Sequence, residues 1–208
     1  AIAIGVCHPF GIGNSMHKVG VKNTIETDTV PFGCFHKNIF ERIGYFDEDL
    51  IRNQDDEFNG RIIKNGGKIY LIPELVIDYY ARDSISKMSK MFYQYGFFKP
   101  LVNKKLGSAA TLRQFFPFLF VLGLILGFGL SIINNFFLTI YISVLVIYLF
   151  LSFYFSVIEV LKQKKIRLLT LLPYIFFVIH LSYGWGYLMG IIRFLIIGRN
   201  NLNVKFNR

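Results

Sequence analysis

Between Arg113 and Glu159 the chain runs for 45 residues without a formal charge, and between Arg167 and Arg193 for another 25. About 20 apolar residues cross the hydrocarbon of a bilayer. The first stretch is therefore too long for one span. Asn134-Asn135 interrupts it with a polar pair suited to a tight turn, which predicts a helical hairpin with spans at about 113–133 and 136–158. A third segment, about 168–192, contains Pro173, His180 and Gly184-Trp185-Gly186, and is expected to be kinked or re-entrant. His180 reads either as a functional polar site or as an interhelical hydrogen-bonding residue.

Lysine and arginine set the expected orientation. Lys104, Lys105 and Arg113 precede the first span, Lys162, Lys164, Lys165 and Arg167 follow the second, and the turn between has none. The positive-inside trend then places the polar half in the cytoplasm. A complete third crossing would put the polar tail 199–208 outside, against that trend, whereas a re-entrant segment would not.

The net charge of +10 is unevenly distributed. Residues 1–110 carry 14 Lys/Arg against 12 Asp/Glu, and residues 111–208 carry 9 against Glu159 alone. The basicity thus belongs to the membrane half, where anionic lipid headgroups are its natural partners. No basic and aromatic ladder suggests nucleic acid. Cys7 and Cys34 are isolated and at no metal-ligand spacing, so buried reduced thiols are expected. The chain starts at Ala1 without a signal-peptide pattern and reads as part of something longer.

The polar half reads as α/β. Residues 29–35 suggest a short strand and 37–43 a helical turn ended by Gly44; 68–73 and 75–80 suggest strands. Asn53 is a candidate cap for a helix at 54–65, with Gly66-Gly67 beyond its end. From Ser84 to Phe98, Met88, Met91, Phe92 and Tyr95 share one helical face and Lys87 and Lys90 lie on the other. This is a basic amphipathic helix. Either it lies in the headgroup region with the Met/Phe face toward acyl chains, or it packs on the polar half. The domain division is 1–83, an interfacial helix and linker at 84–105, a transmembrane region at 106–198, and the tail.

The sharpest local signal is Asn53-Gln54-Asp55-Asp56-Glu57, with Arg61 on the same helix. Acids in a first turn complement the helix dipole, and Arg61 is placed to pair with Glu57, so pattern alone favours a structural role. The surrounding order adds more. Asp28-Thr29-Val30-Pro31-Phe32-Gly33, then Ile39 to Glu48, then Asn53 to Glu57 and Arg61, resemble the acceptor-side half of family 2 (GT-A type) glycosyltransferases, of the membrane-anchored succinoglycan and exopolysaccharide glucosyltransferase kind.

The resemblance covers nearly the whole chain and implies an inverting hexosyltransferase at a bacterial inner membrane. It implies a nucleotide-sugar donor and a saccharide or lipid-linked acceptor. It makes Asp55 the candidate base, leaves Asp56 as a competing assignment and puts Glu57 in the second acidic position. A positioned carboxylate can take the proton from an attacking sugar hydroxyl. Asp28, Gly33 and Gln54 fall on substrate-side positions, with Gln54 replacing the acid common among relatives. Tyr79-Tyr80-Ala81-Arg82 and the Gln94 to Lys99 segment match the closing elements, where Arg82 and Lys99 would face departing phosphate. Lys99 also reads as a snorkelling membrane anchor. Phe97-Phe98 stands where processive members carry Arg-Trp, which argues for single-sugar addition.

The resemblance further implies a divalent metal, Mg or Mn, in the full-length enzyme, but its Asp-x-Asp motif and the nucleotide-binding half have no counterpart here. Asp47-Glu48-Asp49 fits the spacing and lies in the wrong place. No metal ligands are therefore assigned, and the stretch alone is expected to be inactive. A non-catalytic membrane anchor or partner subunit is the alternative; a small channel or transporter has little beyond His180 to recommend it.

Overall fold

The computed structural model describes residues 1–13, 15–109 and 111–198. The polar tail assigned to 199–208 lies outside the described residues. Three short helices, α1 (Ile2–Gly5), α2 (Pro9–Ile12) and α3 (Met16–Val19), lead to strand β1 (Ile25–Glu26). Then come α4 (Asn38–Ile43), α5 (Gln54–Lys64), β2 (Tyr70–Leu71) and the long α6 (Ile85–Leu106). A 3-10 turn (Leu112–Gln114) enters α7 (Phe115–Ser131), followed by α8 (Asn135–Gln163) and α9 (Leu168–Gly190), which ends in a π-type turn (Ile191–Ile196).

The protein is mostly helical, which corrects the expectation of three strands. β1 and β2 form one antiparallel pair, Ile25 opposite Leu71 and Glu26 opposite Tyr70. Residues 29–35 and 75–80 form no strand. A strand exists through its pairing, and these stretches have no partner strand among the described residues. Val76 and Tyr80 consequently stand 80% and 89% exposed.

α4 and α5 fall where the sequence places them. Phe35, Phe40, Phe46 and Phe58 stack around Ile62 and Ile69 as a small aromatic core. Glu57 and Arg61 clamp the outside of this core. The guanidinium meets both carboxylate oxygens, at 2.7 and 2.9 Å, and donates to the carbonyls of Ile43 and Tyr45.

Three helices are long and apolar enough to cross a membrane: Leu112–Ser131, Asn135–Gln163 and Leu168–Ile196. The chain is a multi-pass membrane protein. α7 and α8 form the expected hairpin, with the Asn134 side chain accepting from the Phe136 amide to start α8. Their far halves bury almost nothing against protein, as lipid-facing helices should.

α9 is one continuous helix, so the expected interruption is corrected. Pro173 lies in its second turn, and the helix continues through it. The glycines serve close packing instead. A Cβ on Gly186 would run into the Tyr93 carbonyl of α6, and one on Gly96 into the Tyr183 carbonyl of α9. Bare backbones thus let α6 and α9 lie against each other, as small residues do at helix interfaces.

This contact also decides the face of α6. Met88, Met91 and Phe92 are buried with Val6, Ile175 and Ile179 rather than turned toward acyl chains. Farther along, Phe98, Leu101 and Val102 close a second cluster with Leu50 and Phe194. His180 ties three elements together: its Nε2–H donates to the Phe10 carbonyl and its Nδ1 accepts from the Tyr148 hydroxyl, each at 2.9 Å. The interhelical role is the one the structure shows.

Candidate functional site

A cavity of about 1260 Å³ opens between the polar half and the membrane helices. The first turn of α5 forms one wall, and its position is set from α6. Asn53 adopts the left-handed conformation (φ 62°), and its side chain does not cap α5 as expected. Its Nδ2 instead donates to the Tyr95 carbonyl at 2.9 Å, while Arg52 Nε donates to Gln94 Oε1 at 2.9 Å. Asparagine tolerates this backbone region well, so the swivel costs little and brings α5 end-on to the middle of α6. From below, buried Asn59 donates to the Thr29 hydroxyl and the Val30 carbonyl, drawing the 27–33 loop along the same wall.

The two neighbouring aspartates have different surroundings. Asp56 is salt-bridged to Lys99, one turn beyond Tyr95 on α6, at 2.7 Å. Burial pushes the Asp56 carboxyl up, but the Lys99 charge and hydrogen bond, the Thr29 hydroxyl and His17 outweigh it and hold the pKa below the ordinary value. Asp55 lines the cavity with no ion pair or side-chain hydrogen bond among the described residues. Partial burial, and then the charge of Asp56, push its pKa up. One carboxylate is committed to a lysine; the other is open and more basic.

The structure thus brings Asp55, Asp56, Gln54, Gly33 and Lys99 to one cavity. Lys99 is 14% exposed and pairs inward, not as a snorkelling anchor. Asp28 stands just behind the lining, ion-paired to Arg113, which lines the cavity. Gln94 is buried and acts through Arg52. Two residues fall elsewhere. Arg82 is exposed and outside the lining, and Glu57 is held by Arg61 on the other side of α5.

Sequence reasoning passed over His17, Lys18, Arg52 and Arg113, all of which line the cavity. His17 is partly buried, and desolvation, then the Lys18 charge, lower its pKa. Arg52 adjoins the acidic motif and was findable from that position. In the sequence Arg113 carries only a topology signal, and no periodicity marks Lys18.

The residues present do not fit a divalent cation. Among the described residues no three His, Cys, Asp or Glu side chains gather. Asp47 and Asp49, the pair at metal-motif spacing, are both bound to Lys105, at 2.6 and 3.1 Å.

A cavity holding an open carboxylate, rimmed by cations and closed by membrane helices is suited to a polar, anionic substrate carried on a lipid. The chain is similar to part of a glycosyltransferase. The relative is the dolichyl N-acetyl-α-D-glucosaminyl phosphate 3-β-D-2,3-diacetamido-2,3-dideoxy-β-D-glucuronosyltransferase of Methanococcus voltae, 35% identical over 169 residues. The match takes in 80% of this chain and 48% of the relative, so the chain spans about half the relative's length. A match of that extent includes α5 and the α7–α8 hairpin wherever it begins. No family model and no solved structure matches the chain.

Proposed function

We propose that this chain is the acceptor-side, membrane-bound part of an inverting family 2 glycosyltransferase of GT-A type, which moves a sugar from a nucleotide-sugar donor to a lipid-linked saccharide during exopolysaccharide or cell-envelope glycan synthesis. The similarity to a transferase whose named substrate is a dolichyl phosphate sugar carries the reading. The open carboxylate of Asp55 in a cavity walled by membrane helices supports it. In this reading the polar half lies on the cytoplasmic side, next to Lys104, Lys105, Arg113 and the Lys162 to Arg167 run, and the stretch alone does not turn over.

Asp55 takes the proton from the acceptor hydroxyl as that oxygen bonds the anomeric carbon of the donor. The Lys99–Asp56 pair anchors the turn that carries Asp55, and Gln54 offers an amide for sugar hydroxyls.

Membranes containing the full-length gene product, supplied with a nucleotide sugar and a polyprenyl-phosphate-linked saccharide, provide the test. Asp55→Asn is expected to lower transfer by at least about 100-fold. Undiminished transfer would remove Asp55 as the base and favour the non-catalytic anchor.

A further inference from the structure

Five cationic side chains line the cavity: Lys18, Arg52, Lys68, Lys99 and Arg113. Three already have acids, since Lys68 pairs with Glu26, Lys99 with Asp56 and Arg113 with Asp28. Lys18 and Arg52 have no acidic partner among the described residues. Lys18 Nζ lies 5.5 Å from the centre of the Tyr79 ring and 5.9 Å from that of Tyr95. Arg52 spends its Nε on Gln94, a neutral amide, and its neighbour Asn53 is bonded to Tyr95. Lys18 thus lies beside the Tyr95 ring, and the Arg52 charge acts on the same tyrosine.

A cation withdrawn from water without a counter-charge is costly. The cost shows at Lys18, where desolvation lowers the pKa more than Asp56 and Cys7 raise it. Aromatic faces offset part of it. An anionic ligand would remove the rest. The opposite wall is apolar and comes from the membrane helices: Phe116, Pro117 and Phe120 of α7, Tyr148 of α8, Ile179 and Tyr183 of α9.

We infer that Lys18 and Arg52 bind the phosphate of a polyprenyl phosphate, whose hydrocarbon chain lies along the Phe116, Phe120 and Ile179 wall. This rests on the lipid-linked acceptor of the preceding reading and assigns its phosphate a site. The donor diphosphate shares the chemistry, but the apolar wall has no use for a nucleotide.

The test measures binding, without turnover, to the full-length protein in nanodiscs. The probes are a long-chain polyprenyl monophosphate, the polyprenol of the same length, and UDP. The phosphate lipid should bind at least about tenfold tighter than the alcohol. Lys18→Met and Arg52→Gln should each weaken it about tenfold or more, with UDP binding unchanged. Lys18→Arg should keep most of the affinity and show that the site has folded. Lys87→Met, at an exposed lysine paired with Asp83 outside the cavity, should bind as wild type does. Equal binding of lipid phosphate and alcohol, or unchanged lipid affinity in both cavity variants, overturns the assignment. So does loss of UDP binding in place of lipid binding, which would give these cations to the donor. The transferase reading is judged separately, by turnover of Asp55→Asn.

Discussion

Asp55 and Asp56 share a chemistry and a helical turn, but the fold assigns them opposite electrostatics, and opposite consequences follow. The folded pKa of Asp56 is below its unfolded value of about 3.9. A depressed carboxyl contributes stability that is complete above the unfolded pKa and is lost as pH falls through the folded one. Lys99→Met removes the cause, leaving a mostly buried carboxylate unpaired. The expected cost is about 2–4 kcal/mol, read as a lower unfolding temperature in detergent at pH 7, and Asp56→Asn in the same chain should restore much of it. An unfolding temperature at pH 7 unchanged by Lys99→Met would show that the pair does no structural work. Asp55 runs the other way. Its pKa is raised, so the folded state loses stability as pH climbs from the unfolded to the folded value, and the ionised base is a burden at pH 7. Asp55→Asn should therefore raise the unfolding temperature at pH 7 while abolishing transfer, and the gain should vanish below about pH 4. A lowered unfolding temperature would refute this assignment of strain.

Among the elements, α5, α7 and α8 were legible because each is specified locally: acids and glycines bound α5, and uncharged length and an asparagine pair define the hairpin. The strands expected at 29–35 and 75–80 fail for the same reason, whereas Tyr70–Leu71 does pair within the expected 68–73. Leu75, Val76 and Ile77 favour extended backbone, but a strand also needs a neighbour, and no local pattern supplies one. The close packing of α6 on α9 was invisible because Gly184-Trp185-Gly186 reads as a helix breaker until the carbonyls opposite are known. Lys99 was findable as a charge, but its partner Asp56 lies 43 residues away in sequence and is joined to it only by the docking of α5. The helix pair makes its own prediction. Gly186→Val drives a branched side chain into the Tyr93 carbonyl and should cost about 1–3 kcal/mol through overpacking. Gly129→Ala, where nothing lies within 4 Å, should be neutral or slightly stabilising. Thermal unfolding in one detergent compares them, and equal effects would mean that α6 and α9 can separate without loss.

At the scale of the whole molecule, the question is whether all three long apolar helices cross. By length α9 with its π-type turn can do so, and the hairpin certainly has the form to. Its partners argue otherwise. α9 lies beside α6, which carries Lys87, Lys90, Lys99, Lys104 and Lys105, and a charge at the bilayer centre costs about 2.5–3.5 kcal/mol even on the mildest scale. Lys104 donates to the Phe194 carbonyl at 2.9 Å, and Asn103 bonds both Gln114 and the Tyr187 hydroxyl at 3.0 Å. The end of α9 is thus held at the start of α7, while the beginning of α9 follows directly on the end of α8. In a hairpin those two ends lie on the same side of the membrane. Leu171, Tyr174, Phe177, Leu181 and Trp185 form one exposed stripe along α9, suited to resting on lipid. Residues near 197 should therefore share the side of the polar half, which also satisfies the positive-inside trend. With Cys7→Ser as background, an impermeant maleimide added to intact cells should label Ile133→Cys at once, and should label native Cys34 and Ile197→Cys only after permeabilisation. Labelling of Ile197→Cys together with Ile133→Cys would show that α9 crosses, and that the lysines of α6 must find water some other way.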